Sequence, residues 1–310
     1  MSEPSYFLFL HKPKGMTSQA CLTIFKKKHK IKKIGHHGTL DPFAEGLLLV
    51  GVNEATKYFC YIDDEKKTYQ ATIVFGKQTD SLDVTGREVA SGEVPYLSRE
   101  QIVLAMATFL GESQQTPPMF SAIKVNGKKL YELARQGVAI PRQARRIFVF
   151  ELDVLFWESP VLKIVTTVSR GTYIRVLASD LAKVLGTMGY LSELSRTGLC
   201  GAGLEQAMSL DQEEVLLSQQ IAIADMLSQY RSLYLNQEGE KRLFQGKLIG
   251  RECVISELPP SAMSATQGLT NNVCKVFHDK KFLGLATLER DVIRAKRLIN
   301  HKKNDATSVS

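Results

Sequence analysis

The residues most suited to chemistry lie in one motif, GHHGTLDPFAEGLLLVG, which spans residues 35 to 51. Its centre is Asp41, and the following Pro42 keeps that aspartate out of the helical region of backbone conformation. Glycines on both sides permit unusual backbone angles, and the apolar run behind the aspartate anchors the loop. A carboxylate fixed on a loop in this way is typical of a nucleophile or a base. A purely structural Asp-Pro turn fits the pattern equally well.

Strands and helices must position this loop. The segment FLFL at residues 7 to 10 predicts a strand, and KPKGMTS after it predicts a turn leading to a helix capped by Ser18. TYQATIVFG alternates apolar and polar residues, as a half-buried strand does, and VLKIVTTVS predicts another strand. Irregularly mixed strands and helices predict an α+β core.

A helix is predicted after Gly171, because a set of apolar residues follows the 3.6-residue period: Ile174, Leu177, Ala178, Leu181 and Leu185. Arg175 stands at the start of this helix, where the helix dipole disfavours a cation. An anionic partner is therefore needed, and Asp41 is the natural candidate. A surface arginine that pairs with another carboxylate is the alternative.

The charge of the chain predicts an anionic partner, because lysine plus arginine number 40 against 32 acids, with a pI of about 9.1. Lysines cluster in KKKHKIKK at residues 26 to 33, and cations also crowd residues 124 to 146. Solvated faces explain part of this, yet two concentrated patches favour phosphate binding. No long apolar run or signal peptide is evident, which predicts a cytoplasmic protein without a membrane role. The five cysteines form no C-x-x-C pair and are expected to be free thiols.

The C-terminal third differs in character. Residues 210 to 230 suggest helices, and CVIS, CKVFH and FLGLATL suggest short strands. We expect a catalytic domain over residues 1–232, with an RNA-binding insertion at about 124–146, and a small β-rich domain over 233–310. The polar end NDATSVS is expected to be frayed.

The motif around Asp41 resembles the signature of TruB-type pseudouridine synthases, which centres on the aspartate of a G-x-LDP-x-A-x-G core. Four further segments resemble the same family in the same order: HKPKGMTS, TYQATIVFGKQTDSLDVTG, QQTPPMFSAIKVNGKKLYELARQG and SRGTYIRVLASDLAKVLG. The resemblance implies a pseudouridine synthase fold, with a central mixed, largely antiparallel sheet flanked by helices and a C-terminal PUA-like RNA-binding domain. It implies no cofactor and no metal.

The resemblance also implies roles for individual residues. Asp41 would be the catalytic aspartate, with Arg175 and Tyr69 as active-site partners. His36, Tyr173 and Leu194 would bind the substrate. RNA would be held by a set of cations: Lys124, Lys128, Lys129, Arg135, Arg142, Arg145 and Arg146. Chemistry on a base buried in folded tRNA needs that base flipped out, and Tyr69 could stack on it; its alternative is a strand residue packing its ring.

The implied substrate is the uridine at position 55 in the T arm of tRNA, and the implied enzyme acts as a monomer without a guide RNA. Three other interpretations stay open at this point. The chain could be a noncatalytic RNA-binding or RNA-chaperone protein. It could be a hydrolase that uses His36, His37 and Asp41, although no serine or cysteine partner and no metal-site spacing accompany them. It could also be a guide-RNA-dependent relative.

Overall fold

The computed structural model describes residues 4–121, 123–125, 127–138, 140–260 and 272–299. The segment NDATSVS lies outside these ranges. Strands and helices mix without regular alternation, so the predicted α+β class is confirmed.

Among the described residues before position 231, there are fifteen strands and four α-helices. The strands are β1 (Tyr6–Lys12), β2 (Ile34–His37), β3 (Glu45–Val52), β4 (Lys66–Phe75), β5 (Lys77–Thr79), β6 (Glu88–Ser91), β7 (Gly111–Gln115), β8 (Lys124–Val125), β9 (Lys128–Lys129), β10 (Arg145–Glu158), β11 (Val161–Ser169), β12 (Gly189–Leu199), β13 (Ala202–Gly203), β14 (Met208–Ser209) and β15 (Ile221–Ala222). The helices are α1 (Ser18–Lys28), α2 (Arg99–Ala107), α3 (Leu130–Arg135) and α4 (Ile174–Val184).

Eleven of these strands form one sheet, whose main order is β14-β1-β3-β12-β4-β11-β10-β7. Only β1 with β14 and β3 with β12 pair in parallel among the described strands of this sheet. The sheet is therefore mixed and largely antiparallel, as predicted. The pairs β5–β6 and β8–β9 form separate hairpins.

The periodic segments fold as predicted. In β4, Tyr69, Ala71, Ile73 and Phe75 are all buried on one face, because side chains alternate along a strand. In α4, the apolar stripe packs into the same hydrophobic core as that face. This core holds the central strand and the helix together directly beside the Asp41 loop.

The start of α1 differs from the prediction. Thr17, not Ser18, caps the helix, since its side chain accepts a hydrogen bond from the Ala20 amide at 3.0 Å. Ser18 is the first helical residue and bonds the backbone of Leu40 instead. The predicted cap was one residue late because Ser18 serves a long-range contact that local sequence does not reveal. The lysines of the last turn, Lys26, Lys27 and Lys28, lie where the dipole favours cations.

The prediction of helices over residues 210 to 230 is wrong. This stretch contains the short strand β15 and two single 3₁₀ turns, Leu217–Gln219 and Asp225–Leu227. Strand β15 pairs with β1, with Tyr6 opposite Ala222. Edge pairing with a strand more than 200 residues earlier has overridden the local helix preference.

The C-terminal third forms a second sheet of six strands, in the order β17-β21-β20-β19-β16-β18. They are β16 (Arg231–Leu235), β17 (Ile249–Gly250), β18 (Val254–Leu258), β19 (Val273–His278), β20 (Lys281–Glu289) and β21 (Val292–Leu298), accompanied by α5 (Gln237–Phe244). The sheet has its own apolar core. It also contacts the segment that follows β3, since the Tyr58 hydroxyl donates to the carbonyl of Arg297 at 3.1 Å. The predicted small β-rich C-terminal region is confirmed, although β16 begins two residues before the expected boundary.

Candidate active site

Asp41 lies on the loop between β2 and β3, and it forms an ion pair with Arg175. The Arg175 Nε and the Asp41 Oδ2 are 3.0 Å apart. The two side chains differ in exposure: 39% of the Asp41 side chain is accessible, against 3% for Arg175. Within the described residues, Oδ1 of Asp41 has no hydrogen-bond partner. The buried Arg175 guanidinium thus binds one carboxylate oxygen of Asp41, and the other oxygen stays available to a ligand.

Arg175 is held on all sides at the start of α4. Besides Asp41, its Nη1 donates to Asp83 Oδ2 at 3.1 Å and to the carbonyl of Ser81 at 2.9 Å. Its Nη2 donates to the carbonyl of Phe120 at 2.8 Å. The helix dipole disfavours a cation at this position, and two carboxylates compensate. Because all three guanidinium nitrogens contact acceptor oxygens, the Nε group that faces Asp41 has a fixed direction.

Asp83 was not singled out from the sequence, although it completes this network. Its buried carboxylate also accepts from the hydroxyl of Ser81 at 2.8 Å and from the amide of Thr85 at 2.9 Å. The available signal was an acid within the serine- and threonine-rich turn TDSLDVTG. No local pattern indicates, however, that this turn meets α4.

Protonation of Asp41 is balanced by two opposing influences. Burial of the site raises the pKa of Asp41 above its ordinary value, and the neighbouring Asp83 adds to this. The Arg175 guanidinium acts in the opposite direction and lowers the pKa of Asp41. Arg175 is thus the largest influence that favours the Asp41 anion, and Lys12 adds a smaller one in the same direction.

The motif KPKGMTS anchors the middle of the Asp41 loop, residues 38–44, which joins β2 to β3. The Gly15 amide donates to the carbonyl of Pro42 at 2.8 Å, and Lys12 Nζ lies 3.4 Å from the same oxygen. Ser18 bonds both backbone groups of Leu40 through its hydroxyl, at 3.0 and 3.1 Å. Lys12 is fully buried, and burial lowers its pKa to about 8. The residues on each side of Asp41 are thus tied to the chain between β1 and α1.

Tyr69 and Leu194 line the apolar side of this region. Both are buried, at 8% and 5% exposure, in the cluster that also contains Leu40 and Phe43 from the Asp41 loop. They lie on the neighbouring strands β4 and β12, where Leu194 is opposite Ala71, two residues along β4 from Tyr69. The structure thus brings the predicted aromatic and the predicted leucine into the core beside Asp41.

Tyr173 immediately precedes α4 and is held through its backbone. The side-chain amide of Gln115 donates to the Tyr173 carbonyl at 3.1 Å and accepts from its amide at 2.7 Å. Burial raises the pKa of the Tyr173 phenol, so the hydroxyl stays protonated at neutral pH. This anchoring places Tyr173 two residues from Arg175 at the entrance to the helix.

The two histidines of the motif have different surroundings. His36 is half-buried on β2, and its buried Nδ1 has no partner within the described residues. Burial and the positive charge of Arg196 lower the pKa of His36, which keeps it neutral. His37 Nε2 lies 2.8 Å from Asp64 Oδ2 and is therefore engaged away from Asp41. The arrangement required by the hydrolase interpretation, with both histidines serving Asp41, is not formed.

The predicted RNA-binding cations lie on and after the excursion between β7 and β10. Lys124 is on β8, Lys128 and Lys129 are on β9, and Arg135 ends α3. Arg142 is half-buried and donates to the carbonyl of Pro117 at 3.1 Å, so part of its function is structural. Arg145 and Arg146 are exposed at the start of β10, and Arg146 pairs with Glu112 at 3.1 Å.

In the part of the chain that the structure describes, no three His, Cys, Asp or Glu side chains form a group that could hold a metal ion. Across those same residues, every helix is too short or too polar to cross a bilayer.

Comparison with known sequences assigns the family. Residues 26–174 match the family described as "TruB family pseudouridylate synthase (N terminal domain)". A "tRNA pseudouridine synthase B" from Synechocystis sp. is 37% identical over 306 residues, which cover 95% of this chain and 99% of the relative. A protein of the same description from Pasteurella multocida is 36% identical over 301 residues, covering 94% of each. The chain belongs to the TruB family of pseudouridine synthases.

Solved structures share the fold. "Crystal Structure of a Cbf5-Nop10-Gar1 Complex" aligns with a TM-score of 0.68 at 20% identity, covering 94% of this chain and 84% of that one. "Structure of H/ACA RNP bound to a substrate RNA containing 2'-deoxyuridine" aligns with a TM-score of 0.67 at 18% identity and the same coverage. The predicted pseudouridine synthase fold is confirmed.

Proposed function

We propose that this enzyme converts uridine to pseudouridine at position 55 in the T arm of tRNA, with Asp41 as the catalytic carboxylate. The observation that carries the proposal is the half-exposed Asp41 anion, oriented by a buried Arg175, in a member of the TruB family. The relatives described as tRNA pseudouridine synthase B supply the substrate class.

The reaction breaks the bond between N1 of uracil and the ribose and forms a bond from the ribose to carbon 5. Carbon 5 loses a proton and N1 gains one, so the product is an isomer of the substrate. Asp41 could attack the sugar, attack the base or remove a ribose proton, and each route requires its anion against the reacting nucleotide. Arg175 supplies the charge-assisted contact that keeps this anion available. No step of this scheme calls for a metal or a cofactor.

The other predicted residues would hold the flipped nucleotide. Tyr69 would stack on the base, while Tyr173 and Leu194 would enclose it. His36, neutral and with an unpartnered nitrogen, would occupy or support the vacated stack.

We infer that RNA approaches across the basic excursion at residues 124–146 and the C-terminal PUA-like domain. The expected catalytic and RNA-binding domains, residues 1–232 and 233–310, are part of this proposal. The enzyme would act as a monomer in the cytoplasm, without a guide RNA, because tRNA arm shape provides recognition.

The test is to incubate the purified chain with an unmodified tRNA transcript and map pseudouridine along it. The matched control is the same transcript with cytidine at position 55. We expect one modified site, at position 55, and none in the control. Pseudouridine at another position would contradict the proposed substrate. Binding of tRNA without any pseudouridine would instead support the noncatalytic RNA-chaperone alternative.

A further inference from the structure

Arg196 is a fully buried cation that the sequence did not mark as functional. It lies in the middle of β12, it is 1% exposed, and it is among the largest fully buried side chains of the described chain. Its Nε donates to the carbonyl of Leu47 at 2.7 Å, and its Nη2 donates to the carbonyl of Gly38 at 2.9 Å.

These two carbonyls lie on opposite sides of Asp41 along the chain. Gly38 follows β2 and precedes the aspartate, whereas Leu47 belongs to β3, which follows it. The planar guanidinium of Arg196 therefore joins the chain before the catalytic loop to the chain after it. Lys12 and Ser18 hold the middle of the loop, but neither of them bridges its two ends.

The backbone of Arg196 is locked to the same loop. Arg196 pairs with Gly46 in the parallel contact between β12 and β3. A Cβ atom added at Gly46 would lie 2.3 Å from the Arg196 carbonyl oxygen and 2.8 Å from its nitrogen. Gly46 also has a φ of +109°, which favours glycine. The final glycine of the G-x-LDP-x-A-x-G core is thus explained by close approach to Arg196.

Burial of the Arg196 charge is unfavourable for the free energy of folding. Within the described part of the chain, it forms no ion pair with a carboxylate. A buried cation without a counterion is destabilising compared with an apolar side chain of similar size. A residue that adds little stability but joins both ends of a catalytic loop is better explained by its effect on the loop's geometry.

We propose that Arg196 is a positioning residue, which clamps the two ends of the catalytic loop so that Asp41 faces Arg175 and the reacting nucleotide. The effect on the reaction rests on the proposed function, whereas the clamp itself is a property of the free protein. Small displacements of a catalytic group reduce rates steeply, up to about a hundredfold for about 1 Å.

The test uses Arg196→Met and Arg196→Lys, with Lys275→Met as the matched control. Lys275 is also a buried cation bonded to a backbone carbonyl, that of Ala224 at 3.4 Å, but it lies in the second sheet. Three quantities are measured for each variant: the single-turnover rate on tRNA, the Kd for tRNA, and amide hydrogen exchange over residues 38–47 in the free protein.

We expect Arg196→Met to lower the single-turnover rate about thirtyfold and to leave the Kd within about twofold. The same variant should accelerate amide exchange in the loop, whereas Lys275→Met should leave this exchange unchanged. Arg196→Lys keeps the charge but cannot donate to both carbonyls from a planar fork, so its rate should lie between those of Arg196→Met and the wild type.

Two results would overturn the clamp: a lysine variant as fast as the wild type, or loop exchange unchanged in both Arg196 variants. If Arg196→Met fails to fold, the lysine variant alone decides by the same criteria. Failure of the proposed function is separate, because it would appear as a wild-type chain that makes no pseudouridine while the exchange measurement still reports on the clamp.

Discussion

One carboxylate lies on the Asp41 loop and another, Asp64, contacts His37 just before it. Their surroundings shift the pKa in opposite directions, upward for Asp41 and downward for Asp64. Asp41 has one cationic partner, Arg175, and 39% of its side chain is accessible. Asp64 is 4% exposed and lies beside three basic groups: His37 at 2.8 Å, Lys67 at 3.1 Å and Arg170 at 3.5 Å. Burial raises the pKa of both acids, but around Asp64 the hydrogen bonds from His37 and Lys67 outweigh it and the net pKa is lowered.

The difference separates an acid available for chemistry from an acid used for architecture. Asp64 has its oxygens occupied by protein donors, so it stabilises the fold and offers little to a ligand. Asp41 keeps one oxygen free, and Arg175 is the largest of the influences that lower its pKa. A carboxylate near an active loop should therefore be judged by its unoccupied oxygen rather than by its number of ion pairs.

The largest effect is expected from breaking the first network at Arg175. Arg175→Gln leaves Asp83 buried without its cation and removes the partner of Asp41. We expect the single-turnover rate to fall by a factor of at least about 100, and the free energy of unfolding to fall by about 3 kcal/mol. Rate assays and denaturant titrations check both values. An unchanged rate in the folded variant would show that Asp41 does not need this partner.

Breaking the second network should affect stability without affecting chemistry. Asp64→Asn leaves the buried Lys67 without its carboxylate partner and should lower the free energy of unfolding by about 3 kcal/mol at neutral pH. The folded pKa of Asp64 is depressed, so its contribution is present above the unfolded pKa of about 3.9 and is lost as the pH falls through the folded pKa. The difference in free energy of unfolding between the variant and the wild type should thus become smaller below about pH 4.

Chemical denaturation across pH measures that gap, and a single-turnover assay on the folded Asp64→Asn protein provides the control. The rate should stay within about threefold of wild type, since this acid has no contact with Asp41. A rate loss as large as that of Arg175→Gln would remove the distinction between the two networks.

A smaller change is expected from Asp83→Asn, which keeps the shape of the side chain but removes its charge. Arg175 retains the carbonyls of Ser81 and Phe120, so its direction is only partly relaxed. We expect about a tenfold loss of single-turnover rate at neutral pH, equivalent to about 1.4 kcal/mol. A larger loss than that of Arg175→Gln would mean that Asp83 acts in its own right.

The smallest effect is on the pH dependence of the rate. Activity needs the Asp41 anion, so it should be lost as the pH falls through the pKa of Asp41. Arg175 lowers that pKa and Asp83 raises it. The acid limb should consequently move to higher pH in Arg175→Gln and to lower pH in Asp83→Asn. Shifts in the same direction would contradict the assigned charges.

The sequence predicted those elements of the fold that depend on the periodicity of nearby residues. The alternation in β4 and the apolar stripe of α4 are visible in the sequence because strand and helix periods are local. The Arg175 pairing was predicted because the family resemblance singled out this arginine, and a cation at a helix start calls for an anionic partner.

The remaining features depend on contacts between distant segments. Asp83 reaches Arg175 only after a turn and a helix come together, and Arg196 reaches Gly38 and Leu47 only after β12 pairs with β3. Ser18 was assigned to a local cap for the same reason. A buried cation in a strand has no signature in hydropathy, so Arg196 could not be recognised before the sheet order was known.

The most direct measurement of the central claim is the single-turnover rate of Asp41→Asn on tRNA, with Asp64→Asn measured beside it. Asparagine keeps the shape of the side chain at position 41 but cannot supply the anion. We expect pseudouridine formation to fall below detection, at least about 1,000-fold, with tRNA affinity retained and the folded Asp64→Asn enzyme active. Product formation by Asp41→Asn at the wild-type rate would contradict the account.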